Sequence, residues 1–536
     1  TNSYKEEKMK KVLTLTVALL LVCAAVIAQA APEAAKSTGP DKVTIWTPLN
    51  AQIAQVADSY ADTIFWQEIM KATNTEIDFQ HVSDSNEAVK KEAFNILIAS
   101  GDYPDVIYYQ WTSYPGGAIA AIDDGVIIPL NDIIDKYCPN LKKLLEDYPD
   151  VKKMITTDDG TIYVFPFLRG VTYENNNLLF SEGWVWRMDL LNAVGITECP
   201  STPDELYSAL VKLADYGVQI PLCIRGDHIS RVLAPGFDSF DDFYVEDGVV
   251  KHGYYDPERK DYLAFTAKLY QEKLLDNDYL SVDKKSLGVK VLNGLCAGAY
   301  APGGSGIGSW LPAMQAENPS VSLVSARPIS PEAGRLSKFS KMNNLYDSSG
   351  SSAAITTACK NIEAVARILD YCYGEEGHLL ANFGIEGVSY NMVDGYPKYT
   401  DKVIPVGEAT SEGLTLAQGL AKYTVAGASG AFVQDTRYIE QYYSMPELSE
   451  AVNLWAQTDY GKYIYPAAST TSEEAEELAL IMNQVQTFAK EMEAKFITGE
   501  KSLDEYDAYV AQLKKFGIER AIEIKQAAYD RYMAKN

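Results

Sequence analysis

Short apolar runs alternate with amphipathic stretches along the first part of the chain. The run VTIW at 43–46 predicts a strand, and apolar residues recur at helical spacing over 57–71. A strand near 76–81, a helix near 86–99 and a strand at 106–109 follow. Because strands that alternate with helices are typical of βαβ units, this pattern predicts an α/β fold with a largely parallel sheet.

Helix-start signals mark the later helices. Thr202 predicts an N-cap, Pro203 a first helical residue, and Glu205 the returning partner of a capping box. A long helix is predicted over 472–496, and a second capping box is predicted at 502–505. The apolar stripes of these helices indicate core packing.

Length, charge and metal-ligand content limit the possible functions. A chain of 536 residues is long for one core, so we expect two lobes. Its formal net charge of −26 repels phosphate backbones, which argues against a nucleic-acid partner. The seven cysteines form no CxxC pair, and none of the four histidines pairs with another at metal-ligand spacing on one helix. We therefore expect no metal and no cofactor.

The N-terminal region predicts export. Three lysines (Lys8, Lys10 and Lys11) precede an apolar run at 12–22, and an A-x-A signal stands at 28–30. We therefore interpret 1–30 as a signal peptide with upstream residues.

The mature chain is then expected to start with a small, polar tether at 31–40, which would place the protein in the periplasm or at the cell surface. Cys23 lies in a weak lipoprotein box, so a lipid anchor is the alternative to cleavage after Ala30, and a transmembrane anchor is a third.

The glycine-rich stretch APGGSGIGSWLPAM at 301–314 resembles a nucleotide-binding loop but lacks the residues of one. No lysine follows the glycines, no third glycine completes a dinucleotide fingerprint, and the flanks of Ser305 do not form a nucleophile elbow. Glycines do allow close approach to the backbone, and Trp310 is predicted near the start of a helix with free N–H groups. Such a site could hold a polar, flat-faced ligand; the alternative is a connecting loop with a buried tryptophan.

Aromatic clusters are the other candidates for ligand contact. Trp111 follows the predicted strand at 106–109, where open α/β sheets bind ligands. Trp184 and Trp186 alternate, which places both rings on one strand face and Arg187 on the other. Core packing is the alternative for each. Paired acids adjoin turn formers, and no Ser/His/Asp or Cys/His arrangement indicates catalysis.

Five segments, in their order along the chain, resemble a known family. They are GDYPDV at 101–106, DGTIYVFP at 159–166, WRMDLL at 186–191, FGIEG at 383–387 with Tyr390, and FITGE at 496–500 followed by LDEY. On these segments the chain resembles extracellular solute-binding protein family 1, the carbohydrate-binding proteins of ABC importers, in its large lipoprotein-type subgroup.

The resemblance implies a two-lobed periplasmic-binding-protein fold of type II, with ligand held between lobes joined by hinge strands. Lobe one would comprise 41–168 plus 326–395, and lobe two 169–325 plus 396–536. In maltose-binding relatives a tryptophan packs against the sugar, and four residues here fall at the corresponding place: Tyr300, Gly303, Gly304 and Trp310.

The function implied is that of a non-enzymatic receptor that closes around an oligosaccharide and delivers it to membrane permease subunits. We expect a monomer. The expected contacts are stacking by Trp111, Trp186, Tyr300 and Trp310, with Arg187 and Asp347 as polar partners. A receptor for a peptide or other small solute is one alternative, and a secreted glycoside hydrolase is another. The net charge argues against a polyanionic glycan, which only a local basic pocket would override.

Overall fold

The computed structural model of the chain describes residues 39–82, 86–346, 351–405 and 409–535. The predicted signal peptide with Cys23, most of the predicted tether, and Asp347 lie outside the described residues.

The strands and helices below are numbered along the described residues. The strands are β1 (Asp41–Trp46), β2 (Thr75–Gln80), β3 (Val106–Tyr109), β4 (Leu168–Arg169), β5 (Glu182–Arg187), β6 (Ile220–Cys223), β7 (Phe243–Glu246), β8 (Val249–His252), β9 (Cys296–Pro302), β10 (Leu323–Ala326), β11 (Ser352–Ile355), β12 (Tyr390–Val393), β13 (Tyr396–Tyr399) and β14 (Val433–Gln434). The helices are α1 (Ile64–Thr73), α2 (Glu87–Ser100), α3 (Gly117–Asp123), α4 (Asn131–Tyr137), α5 (Pro139–Asp147), α6 (Pro149–Met154), α7 (Met188–Ala193), α8 (Pro203–Tyr216), α9 (Ile229–Leu233), α10 (Arg259–Gln271), α11 (Lys284–Leu292), α12 (Gly308–Glu317), α13 (Ile362–Tyr371), α14 (Glu375–Phe383), α15 (Leu416–Tyr423), α16 (Thr436–Tyr442), α17 (Pro446–Trp455), α18 (Ser472–Thr498), α19 (Tyr506–Phe516) and α20 (Ile518–Ala534).

Two four-stranded sheets form the centres of the two lobes. The first has the order β11-β3-β1-β2 and the second the order β10-β5-β9-β6. Strands β1 and β3 are parallel, as are β6 and β9. This arrangement confirms the predicted α/β class.

Both sheets are mixed, which corrects the prediction of a largely parallel sheet. Strand β11 runs antiparallel to β3, and β5 runs antiparallel to both β9 and β10. Strands β5 and β11 each follow a passage of the chain from the other lobe. Strand β5 therefore begins beside the end of β9, and β11 begins beside the end of β3. A strand that begins where its neighbour ends runs antiparallel to that neighbour.

The buried apolar side chains form separate cores around the two sheets. One core draws on 43–168, 345–381 and 421–433. The clusters on the two faces of the second sheet draw on 178–329 and 383–521. The chain therefore passes between the cores several times, and short strand pairings such as β4 with β14 lie at these passages. The predicted lobe boundaries stay a prediction.

Helix caps follow the sequence signals with two corrections. Thr202 caps α8 by accepting a hydrogen bond from the Glu205 backbone N–H at 3.2 Å. The Glu205 carboxylate accepts from the Ser201 backbone N–H and hydroxyl instead of completing a box with Thr202. Ser502 accepts from the Asp504 N–H in a short 3-10 turn and forms no capping box, because that turn ends before α19 begins.

A buried ion pair joins α10 to α18 in the second lobe. The Arg259 guanidinium, which is 0% exposed, donates to the Glu493 carboxylate at 2.8 and 2.7 Å. It also donates to the Phe240 carbonyl at 2.9 Å and lies 4.5 Å from the Tyr262 ring centroid. Several hydrogen bonds therefore compensate both charges inside the core.

We expect Arg259→Met to lower the free energy of unfolding by about 3–5 kcal/mol, because Glu493 would remain buried without its partner. Urea unfolding measures this change. The control is Lys501→Met, which removes a largely exposed pair with Glu505 and should cost under about 0.5 kcal/mol. Equal losses in the two variants would contradict the role assigned to the buried pair.

Candidate ligand-binding site

A cavity of about 640 Å³ lies between the two lobes. Lobe one contributes the segment after β3 and the start of α3, together with the turn at 154–157. Lobe two contributes 464–470 and parts of α18 and α20. The volume is in the range of small-molecule binding sites, and a cleft between lobes is a frequent place for one.

Aromatic side chains from both lobes line this cavity. They are Tyr114, Tyr163, Tyr173, Tyr346, Phe243, Tyr460 and Tyr465. The Tyr163 and Tyr346 hydroxyls lie 3.1 Å apart, so these two rings hold each other in place. Tyr173 is 39% exposed, which leaves its ring available to a ligand. Such rings offer an apolar face together with a hydroxyl group.

The remaining lining combines polar groups with small and apolar side chains and is almost uncharged. Hydroxyl and amide groups come from Thr112, Ser113, Thr156, Thr157, Asn344, Ser469 and Thr470. Asp242 and Lys525 are the only charged side chains among the described lining residues. This chemistry suits a ligand that is rich in hydroxyl groups and has apolar faces.

A second, polar pocket of about 330 Å³ lies at the carboxyl edge of the first sheet. It is lined by residues that follow β1 and end β3, including Asn50, Tyr109 and Gln110, and by Ser351 and Ser429. Ser113 lines both this pocket and the larger cavity. The position agrees with the rule that open α/β sheets bind ligands beyond the carboxyl ends of their strands.

Two consecutive glycines shape the lobe-one wall. Gly116 and Gly117 have φ of 78° and 77°, in the left-handed region that side chains disfavour. A Cβ on Gly116 would lie 2.6 Å from the Ala120 Cβ. The sequence therefore permits the tight turn that starts α3 at the cavity.

Charged side chains cluster near the carboxyl end of β6. His228 Nδ1 lies 3.3 Å from Glu182 Oε2, and Arg225 donates to the same imidazole ring. Lys341 forms an ion pair with Glu182. Burial and the neighbouring Lys341 charge lower the pKa of His228 to about 4, so the imidazole is neutral at physiological pH. No sequence motif or periodicity marks these residues.

A second charged cluster bridges the lobes beside the cavity. Asp158 of lobe one accepts hydrogen bonds from Arg531 Nε at 2.5 Å and from the Ser469 hydroxyl at 2.8 Å. Lys535 Nζ lies 3.1 Å from Asp158, and Arg531 also pairs with Glu474. These contacts join the turn at Asp158 to the C-terminal helices of lobe two.

The tryptophans predicted from the sequence to stack on a ligand are buried in the cores. Trp111 is 1% exposed and packs edge-on to Phe94, although its neighbours Gln110 and Thr112 line the pockets. Trp186 is 1% exposed and stacks on Trp184 at 5.8 Å. This stacking matches the predicted shared face of the two rings.

Tyr300, Trp310 and Arg187 also have partners within lobe two. The Tyr300 hydroxyl donates to the Glu182 carbonyl at 3.4 Å. Trp310 is 5% exposed and packs close to Gly288. Arg187 forms a two-point ion pair with Asp189 at 2.8 and 2.5 Å. None of these side chains lines the cavity between the lobes, and their role in ligand binding stays a prediction.

The glycine-rich stretch forms a π-helical turn that leads into α12. The Gly303 N–H donates to the Ser181 carbonyl at 2.9 Å. A Cβ on Gly303 would lie 3.1 Å from the Tyr443 ring, and a Cβ on Gly304 would lie 2.5 Å from the Tyr442 hydroxyl. The close approach that the glycines allow is therefore made by two tyrosines of the same chain.

The described residues contain neither a metal-binding cluster nor a helix that could span a membrane. Within them no group of three or more His, Cys, Asp or Glu is placed to hold a metal ion. None of their helices combines the length and apolar character that a bilayer crossing requires. Six cysteines in this part of the chain are free thiols: Cys138, Cys199, Cys223, Cys296, Cys359 and Cys372.

Two α/β lobes that enclose a cavity between them define the class of two-lobed binding proteins. A family model described as bacterial extracellular solute-binding protein matches residues 54–378. The chain belongs to this family.

Individual relatives agree with this assignment. The fructooligosaccharide ABC transporter substrate-binding protein FusA of Streptococcus pneumoniae is 26% identical over 504 residues, which cover 88% of either chain. The structure of FusA in complex with kestose matches with a TM-score of 0.72 at 22% identity, over 92% of this chain and 100% of that one. Lipoprotein LipO of Bacillus subtilis is 26% identical over 344 residues, covering 61% of this chain and 63% of LipO.

We expect Trp310→Ala to lower the free energy of unfolding by about 3–5 kcal/mol, because truncation leaves a cavity in a packed core. Urea unfolding measures the loss. Tyr216→Ala is the control, since that ring is 58% exposed and its removal should change stability by less than about 0.5 kcal/mol. Unchanged stability together with lost glycan binding would instead support the sugar-stacking role predicted from the sequence.

Proposed function

We propose that the chain is the non-enzymatic substrate-binding component of an ABC importer and that it binds an oligosaccharide between its lobes. The main support for this proposal is the cavity between the lobes, because both lobes contribute tyrosine rings and hydroxyl groups to its lining. Tyrosine faces stack on the C–H faces of sugars, while hydroxyl and amide groups bind sugar hydroxyls. The likeness to FusA over most of its length supports the same class of ligand.

Binding would proceed by closure of the lobes around the sugar, which then presents a surface to the permease subunits. The Asp158 cluster supports this mechanism because its contacts join the turn at Asp158 in lobe one to Ser469, Arg531 and Lys535 in lobe two. We propose a monomer with the predicted division, lobe one formed by 41–168 plus 326–395 and lobe two by 169–325 plus 396–536; the separate cores around the two sheets support it. The predicted leader and the relative LipO support export, with a lipid anchor at Cys23 as the alternative to free secretion.

Two alternatives have weaker support. A glycoside hydrolase needs two placed carboxyl groups, and Asp242 is the only acid among the described lining residues. A peptide receptor would need partners for a free carboxylate and a free amine; Lys525 offers the first, but Asp242 already lies 3.8 Å from Arg231 Nη2. A thermal-shift panel of oligosaccharides and short peptides tests these alternatives, because stabilisation follows the ligand that binds the native state. Stabilisation by peptides alone would reject the sugar proposal.

We expect Tyr173→Ala to weaken oligosaccharide binding by about 1 kcal/mol, or roughly fivefold, because the variant loses a stacking face. Titration calorimetry with the best glycan of the panel measures the affinity. The matched control is Tyr148→Ala, whose ring has a similar exposure of 37% and lies outside the cavity. Equal affinities of the two variants would remove Tyr173 from the proposed site.

We expect Asp158→Asn to shift the protein toward open conformations and to increase its radius of gyration in small-angle scattering. Burial raises the pKa of Asp158, but hydrogen bonds from Arg531, Ser469 and Lys535 outweigh it and hold the pKa below its ordinary value. The carboxylate therefore stays ionised near neutral pH, and its contribution is lost only as the pH falls through this lowered pKa.

The control for Asp158→Asn is Asp135→Asn, which has the same charge change but breaks an exposed pair with Lys142 inside lobe one. An equal radius of gyration in both variants would show that the Asp158 contacts do not hold the lobes together.

A further inference from the structure

Lys525 forms no ion pair among the described residues, in contrast to three other cations around the cavity. Arg531 is paired with Asp158, Arg231 with Asp241, and Lys341 with Glu182. Lys525 lines the cavity, and its ammonium group has no hydrogen bond or ion pair among the described residues. Its three donors are therefore available to a ligand.

Two aromatic rings hold the Lys525 side chain at the cavity wall. Its Nζ lies 4.5 Å from the centroid of the Tyr465 ring and 5.5 Å from that of Phe243. The Tyr465 hydroxyl donates to the Lys525 carbonyl at 2.9 Å, which fixes the ring against α20. These cation–π contacts orient the ammonium group but provide no counter-charge.

Asp242, the one acid among the described lining residues, acts on Lys525 through its charge but forms no ion pair with it. The Asp242 carboxylate accepts the Phe243 N–H at 2.8 Å, lies 3.8 Å from Arg231 Nη2, and is 52% exposed. Burial lowers the pKa of Lys525 and outweighs the Asp242 charge, which raises it, so the ammonium group is desolvated without an ion pair. Closure around a ligand would remove more water from it, and a ligand anion would compensate for that loss.

We propose that Lys525 selects a glycan that carries a carboxylate-bearing sugar, such as a uronic or sialic acid, at the end that reaches this wall. The inference rests on the proposed oligosaccharide function and makes that ligand class specific. One acidic sugar on an otherwise neutral glycan fits a protein of net charge −26 better than a polyanion does, because long-range repulsion grows with ligand charge.

A glycan array tests this proposal with matched pairs, each made of a neutral oligosaccharide and the same oligosaccharide carrying one uronic or one sialic acid. Titration calorimetry then measures both affinities for the pair that binds best. The wild-type protein should prefer the acidic member by about tenfold or more, as for a hydrogen bond between charged groups. Lys525→Met should lower the affinity for the acidic member by about tenfold more than the affinity for the neutral member, and Lys525→Arg should retain the preference.

Lys490→Met is the control for net charge, since Lys490 is exposed on α18 and lies outside the cavity. Melting temperatures establish that each variant is folded. Equal wild-type affinities for the matched pair, or an equal loss for both members in Lys525→Met, would overturn the inference while leaving the oligosaccharide function intact. Binding of no glycan on the array would reject the proposed function and the inference with it.

Discussion

The structure depends on the separate packing of two cores that share one chain. The chain crosses between the cores several times, and short pairings such as β4 with β14 lie at these crossings, whereas no sheet continues from one lobe into the other among the described residues. Such crossings can bend, whereas the packed cores cannot. A cavity between rigid lobes can therefore open and close without loss of either core, which is the physical requirement for a solute-binding protein.

Two kinds of side chain surround the cavity: those that face a ligand and those that hold the lobes together. Tyrosine rings and hydroxyl groups face the cavity, while most charges around it pair with one another. The Asp158 cluster belongs to the second kind because it spans the lobes. Lys525 lines the cavity without an ion pair among the described residues, which is why it points to the chemistry of the ligand.

Local sequence signals predicted much of the fold because they act over a few residues. The strand at 106–109 and the long helix that starts at 472 agree with the structure, since apolar periodicity and caps decide both. The mixed sheets could not be predicted in the same way. The direction of β5 and β11 depends on where the chain returns from the other lobe, and no local pattern records that return.

The ligand site was harder to predict because aromatic side chains both pack in protein cores and stack on ligands, and the sequence does not distinguish the two roles. The sequence favoured Trp111, Trp186 and Trp310, which are buried, while Tyr173 and Tyr465 come from distant segments that meet only in the fold. Lys341 and Lys525 carry no motif either. Their roles depend on which acids lie beside them, and that is a property of the tertiary structure.

The proposed function requires a glycan that lies between the lobes and contacts both. Hydrogen–deuterium exchange with and without the tightest-binding oligosaccharide measures these contacts. We expect the ligand to slow exchange at 112–119 of lobe one and at 460–470 of lobe two. Protection confined to the glycine-rich stretch at 301–311, with no change at these two walls, would contradict it.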